Sequence, residues 1–482
     1  VTDVQGSLRI LIGQSRLVVA VLVISAFAIW MCGTLVAGCE SESTAASGVG
    51  DPYFGKSGNG GYDVLEYRLA LTIDPTSGSL AGECGIDAQA TQTLESLHLD
   101  YAGPDIASVE VDNAPADFKH RGGELIIFPA TPHSEGQIFE VLVSYSGVPK
   151  PLETCYGPHG WLREGDTIYT LGEPQGALAW YPVNDHPSDK ATYRFELTVP
   201  DPYVAVASGM LVETRSDEVD RTYVWEMDRP LASYVAAVSV GRYELEETQV
   251  RDGLTIRNYF PPDLDAEARS VFASTEEILR FYEATFGPYP FDAYGVVVPN
   301  ATCYVGMENQ TLSLFGREAV RLMVENDDGR DIMVPHELAH QWFGNSVTLS
   351  SWQDIWLNEG FATYASWLWL EHKYGEEALL AEIQENRDWL NGQDQVLCGD
   401  PGADHLFSST VYYRGALTLH ALRLKLGDDV FFDILRQWNE RYKLSNACTE
   451  DFIALAEEMG GVELSPFFNE WLCEDGELPE LQ

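Results

Sequence analysis

The sequence runs to 482 residues, too long for one hydrophobic core, so two or three domains are expected. It is 45% hydrophobic and 22% charged, the balance of a folded globular protein, yet 75 acidic against 29 basic side chains leave a net charge of −46. That charge is spread along the chain: it excludes nucleic acid, since nothing could neutralise a run of phosphates, and opposes electrostatic docking to an anionic membrane.

The N-terminus departs from this composition. Residues 1–38 hold one Asp and two Arg, and Leu17 to Trp30 is almost wholly apolar, the pattern of a targeting segment. It ends in 35-LVAGCESES-43, where Ala37 and Gly38 before Cys39 resemble the lipobox of bacterial lipoproteins. The expectation is a signal peptide over 1–38, lipidation at Cys39 and a polar flexible tether over 39–61. The rival is an uncleaved transmembrane anchor, since Leu17–Gly38 is just long enough to span a bilayer. Either reading places the body of the protein outside the cytoplasm, membrane-anchored, in the periplasm or at the cell surface. In an oxidising compartment the six cysteines beyond Cys32 and Cys39 (84, 155, 303, 398, 448 and 473) can pair, with connectivity left open.

Residues 62–245 read as β. Stretches such as 65-LEYRLALTI-73, 138-IFEVLVSYS-146, 192-TYRFELTVP-200 and 222-TYVWEM-227 alternate apolar and polar side chains between Gly, Pro and Asp turns. From about residue 265 the period becomes helical, over 265–287, 331–344, 352–374, 376–390, 411–426, 428–442 and 449–460. Between them, 302-TCYVGMENQTLSLF-315 reads as a strand or strand pair with one acid, Glu308, which needs either solvent or a specific partner.

The strongest local signal is 336-HELAHQWFG-344. Two His at i and i+4 share one helical face and can reach one ion at about 2.0–2.1 Å. Glu337, one residue round, can instead reach a water in an open coordination position. Downstream, 352-WQDIWLNEGFATYASWLWL-370 is so apolar that Glu359 should be buried, which is costly for a carboxylate unless it is paired or binds a metal. Eighteen residues separate it from His340, room for a turn and a returning helix. Gly360 beside it suits a close helix crossing. Two His and one Glu form the open, catalytic type of zinc site.

HELAHQWFG…WLNEGFATY is similar to the aminopeptidase N and leukotriene hydrolase family of gluzincin zinc metallopeptidases. The likeness extends through 182-PVNDHPSDKATY-193, 231-LASYVAAVSVGRYEL-245, 286-FGPYPFDAY-294, 306-GMEN-309, 412-YYRGAL-417 and 465-SPFFNEWL-472. It implies an α+β multidomain fold: an N-terminal antiparallel β saddle or sandwich (62–245), then a thermolysin-like, mainly helical catalytic domain (246–482). It implies one Zn2+ held by His336, His340 and Glu359, with Glu337 as general base and Tyr412 as oxyanion stabiliser. Gly306, Met307, Glu308 and Asn309, with Glu173 from 170-TLGEPQGALAWYP-182, would bind a peptide substrate with a free N-terminus.

Three departures from the family pattern stand out. Val305 replaces the first Gly of Gly-x-Met-Glu-Asn, Leu171 replaces a Gln common two positions before the second Glu, and Arg414 replaces the Lys after the tyrosine. Family members usually continue into a further helical C-terminal domain; this sequence stops at Gln482, so a more open cleft is expected. The implied function is a zinc aminopeptidase. A zinc endopeptidase, an epoxide hydrolase and a non-catalytic binding lipoprotein are the rival readings.

Overall fold

A computed structural model describes residues 47–251, 253–303, 305–474 and 476–481, without the side chains of residues 327 and 328. The signal segment 1–38, Cys39 and residues 40–46 lie outside the described residues. Those described belong to one compact unit running from Ser43.

Strand alternation is realised directly. Tyr62–Asp74 buries every second side chain over most of its length, and Lys190–Pro200 alternates throughout. Tyr62–Asp74 pairs antiparallel with Ser79–Ala90 and parallel with Lys190–Pro200, at the centre of an eight-stranded sheet. A second, five-stranded sheet contains the hairpin Gly157–Glu164/Thr167–Leu171, in register Leu162↔Tyr169 and Gly160↔Leu171. The chain leaves this hairpin directly into Glu173.

A third sheet, of five strands, pairs Glu244–Arg251 with Leu254–Phe260 and ends at Ser313–Phe315 and the edge strand Gly306–Met307. The expected boundary at 245/246 thus falls inside a strand. The helical run over 265–287 divides into Ala266–Ser270 and Thr275–Phe286. Between them Phe272 packs its ring on Phe260 and Phe315, at 5.7 and 5.2 Å.

Two helices form the centre of the second half, Asp327–Ala339 and Trp356–Tyr374. Asp331, 1% exposed, joins them through Lys373 Nζ, 2.9 Å from each carboxylate oxygen, and Tyr374 Oη at 2.6 Å. Trp356–Tyr374 crosses Gly415–Leu426 so closely that a Cβ on Gly360 would lie 2.8 Å from Gly415 Cα. The close approach expected at Gly360 is therefore present, and glycine at both positions permits it.

Residues 47–61 correct the expectation of a free tether. Asp51 is buried and accepts from Tyr53 N (2.8 Å), Phe54 N (2.9 Å), Ser351 Oγ (3.0 Å), Trp352 N (3.0 Å) and His186 Nε2 (3.2 Å). Burial raises its pKa, but these bonds outweigh that and hold the carboxyl well below its ordinary range. Tyr53 Oη donates to Asp400 at 2.5 Å and accepts from Gly402 N at 3.0 Å, while Phe54 meets Trp352 edge-on. Polar composition suggested a solvated linker, but these side chains all have partners on the body.

The six cysteines from Cys84 to Cys473 are free thiols, so the pairing open to them in an oxidising compartment is not used. Among the described residues no helix is long and apolar enough to cross a membrane.

Candidate metal centre and substrate cleft

His336 lies in the last turn of Asp327–Ala339, and His340 follows directly, its N still bonded to His336 O at 3.3 Å. Their Nε2 atoms are 3.0 Å apart. Glu359, in the first turn of Trp356–Tyr374, places Oε2 at 3.2 Å from His336 Nε2 and 3.6 Å from His340 Nε2. Three ligands on a tetrahedral zinc at about 2.0–2.1 Å stand roughly 3.3 Å from one another, so this triangle fits the ion. His340 Nδ1 donates to Phe343 O at 3.1 Å, which leaves the Nε2 lone pair facing the other two donors.

Around this triangle the chain buries three more carboxylates. Oxygens of Glu308 and Glu337 come within 4.8 Å of each other and of His340, and the same holds for Glu173, Glu308 and Glu359. Burial, then the negative charge of Glu308, pushes the Glu173 carboxyl well up; burial is also the largest cause raising Glu308. Oε1 of Glu173 and Oε1 of Glu308 have no hydrogen-bond partner among the described residues. So many buried acids in one place call for cations, and one metal ion leaves room for a second positive group.

The edge strand Gly306–Met307 passes over the general-base candidate. A Cβ on Gly306 would lie 2.2 Å from Glu337 Oε1, so a side chain there would displace the Glu337 carboxylate. Val305, where the family's glycine is missing, instead lines a cavity of about 410 Å3 with Gly306, Met307, Glu173 and Tyr412. Asn309 is fully buried and does not line it.

Tyr412 stands on a single π-helical turn, Thr410–Arg414, a feature common at functional sites. Its ring stacks on His336, with centroids 5.9 Å apart and planes 18° apart. The neighbouring Tyr413 is not in the cavity wall. Arg414, fully buried, anchors the turn by donating to Trp471 O (2.7 Å), Glu470 O (3.1 Å) and Gln395 Oε1 (3.1 Å). An arginine fork serves here where the family has lysine.

Gln341 and Asn345 were not singled out from sequence. Gln341 Nε2 donates to Glu308 O at 3.1 Å, Asn345 Nδ2 to the same oxygen at 2.7 Å, and Gln341 Oε1 accepts from Thr311 N at 2.9 Å. These bonds fix the Glu308 turn to the end of the metal helix. The signal was present: Gln341 is four residues after Glu337 and shares its face.

Comparison with known proteins supports the same arrangement. Residues 64–235 match the model of the Peptidase M1 N-terminal domain, and 271–471 that of the Peptidase family M1 domain. Aminopeptidase M1-A of Oryza sativa subsp. japonica is 27% identical over 452 residues, covering 85% of this chain and 50% of that protein. Leukotriene A-4 hydrolase of Xenopus laevis is 26% identical, covering 81% and 67%. The chain thus spans about half the length of the first of these relatives. Among solved structures, the M1 zinc metallopeptidase of Deinococcus radiodurans is 30% identical with a TM-score of 0.80, over 90% of this chain and 98% of that one. A mutant of that enzyme bound to a Tyr-Ser-Ala substrate gives 29% and 0.83, over 90% and 99%. The β half followed by a helical half is the architecture of these structures. With both models matched in order, and a 30% identical structure covered nearly end to end, the chain belongs to the M1 family of zinc metallopeptidases, and membership implies one catalytic zinc.

Proposed function

We propose that the protein is a zinc-dependent aminopeptidase that removes the first residue of peptides with a free N-terminus. The observation that carries this reading is the pair of buried acids, Glu173 and Glu308, each with an oxygen lacking a partner among the described residues, beside His336, His340 and Glu359. Two such carboxylates attract one ammonium group and fix how little of the substrate extends beyond the scissile bond. Bound zinc supplies Lewis acidity toward the attacking water and the scissile carbonyl. Glu337 takes the proton from that water and returns it to the leaving amine. Tyr412 donates its phenolic hydrogen to the carbonyl oxygen as negative charge develops there. The aminopeptidase names among the relatives support the same reading.

The test compares aminoacyl amides with their N-acetylated counterparts, with and without a chelator. Cleavage of the free-amine substrates alone, lost on chelation, is expected. Equal cleavage of both would instead make the enzyme an endopeptidase. No chelator-sensitive cleavage would leave a binding role.

The proposed location, outside the cytoplasm with lipid on Cys39, rests on the apolar run Leu17–Trp30 and the LVAGCESES that follows it. Mass spectrometry of the mature N-terminus decides it.

A further inference from the structure

Two cysteines far apart in the chain flank one hydrogen bond. Gly399 N donates to Leu472 O at 2.9 Å, so the peptide unit joining Cys398 to Gly399 lies against the one joining Leu472 to Cys473. A Cβ on Gly399 would stand 3.2 Å from Leu472 Cβ, a measure of how tightly the two segments pack. We propose that Cys398 and Cys473, free thiols here, form a disulfide under oxidising conditions, and that the bond closes a clamp around the turn that carries Tyr412. The inference is independent of which peptide bond the enzyme cleaves.

The separation follows from peptide geometry. Standard bond lengths put each cysteine Cα about 2.4–2.8 Å from the bonded N or O, at opposite ends of that hydrogen bond. The two Cα atoms are then about 4–6.5 Å apart whichever way the segments run, close to the roughly 4.4–6.8 Å that disulfides span. Cys398 is fully buried, with Sγ 3.8 Å from where a Cβ on Gly415 would lie, and Cys473 is exposed. Burial is the main reason that the Cys398 thiol is pushed up to about 12; the Arg414 guanidinium opposes it, and charge on Cys473 adds to it. The two thiols thus already act on each other. The other cysteines have different surroundings: Cys84 lies in the strand Ser79–Ala90, Cys303 in the cleft wall, and Cys448 Sγ meets Asp451 Oδ2 at 3.2 Å.

Position gives the bond its effect. Arg414 already holds both segments, through Gln395 shortly before Cys398 and through the carbonyls of Glu470 and Trp471 shortly before Cys473. Tyr412 stands on the same turn as Arg414. A covalent link between the cysteines therefore completes a ring around the guanidinium that anchors Tyr412. Tyr53 holds Asp400 and Gly402 from the other side, so the loop after Cys398 is fixed at both ends. The chemistry needs a disulfide oxidant such as oxidised glutathione. Cys473, the accessible thiol, attacks it as the thiolate, and its proton passes to the first thiol released. The Cys398 sulfur then attacks the Cys473 sulfur of that mixed disulfide and displaces the second thiol, which takes the Cys398 proton. Two cysteine thiols are oxidised to one disulfide, and one oxidant disulfide is reduced to two thiols.

The experiment equilibrates the zinc-loaded protein with oxidised or reduced glutathione, alkylates the remaining thiols and maps the peptides by mass spectrometry. After oxidation the peptides of Cys398 and Cys473 should be linked, lighter by two hydrogens, and released by dithiothreitol. Oxidised protein should melt about 2–5 °C above reduced protein, since the bond closes a loop of about 75 residues in the unfolded chain. Cys473→Ser should abolish that difference. Separate alkylation of both cysteines, linkage of either to another cysteine, or an equal shift in Cys473→Ser overturns the proposal. The mapping needs no variant, so it decides even where Cys473→Ser is unstable.

Discussion

The two ends of the cleft are built on different principles. At the metal end, His336, His340 and Glu359 stand on two helices tied by the Asp331–Lys373 pair, with the second helix packed on a third at Gly360 and Gly415. At the end proposed to hold the amine, Glu173 and Glu308 stand on turns: one leaves a β hairpin, the other is fastened to the helix of His336 by Gln341 and Asn345. Metal ligands need fixed distances to within a few tenths of an ångström, and paired helices supply that. An amine site, as proposed for Glu173 and Glu308, needs charge in a confined place, and turns drawn from distant parts of the chain are sufficient.

If chemistry resides at the metal end and recognition at the other, variants should divide along that line. Glu337→Gln should lower kcat by about 10²- to 10⁴-fold with zinc content, read by elemental analysis, unchanged. A loss of metal would make Glu337 a ligand instead. Tyr412→Phe should lower kcat by about 10²- to 10³-fold with little change in KM, while Tyr413→Phe changes neither by more than about twofold. Equal losses in both tyrosine variants would remove the assignment. Glu308→Ala should raise KM for free-amine peptides by about 10- to 100-fold and leave acetylated ones unaffected. A uniform rise would mean that Glu308 only supports the fold. Gly360→Ala tests the rigidity of the metal end: its new Cβ must push against Gly415, costing about 1–3 kcal/mol in urea unfolding. An unchanged midpoint would refute the close crossing.

The same contrast governed what could be read from sequence. His336 and His340 are one helical turn apart, so their meeting needs only local geometry. Glu359 became legible because a carboxylate in so apolar a run demands a cation. Glu173 carries no such mark: a Glu before a Pro in a turn is ordinary, and only the family resemblance located it. Sheet alternation was plain in Lys190–Pro200, whereas Arg317–Glu325 was not anticipated as a helix. The role of Arg414 was hidden as well, since its acceptors, two main-chain carbonyls near the end of the chain and the Gln395 side chain, have no signature in residue type.

Asp51 gives the segment before the first long strand a mechanical meaning. Its carboxylate grips Ser351 and Trp352, just ahead of the helix that carries Glu359, while Tyr53 grips the loop at Asp400 and Gly402. Tension on the chain upstream of residue 47 would therefore be delivered to the entrance of that helix and to the loop leading to Phe407, rather than dissipated in a slack linker. A proteolytic cut between Phe54 and Tyr62 would leave Asp51 and Tyr53 holding the body through hydrogen bonds instead of a continuous chain, without touching a single residue of the cleft.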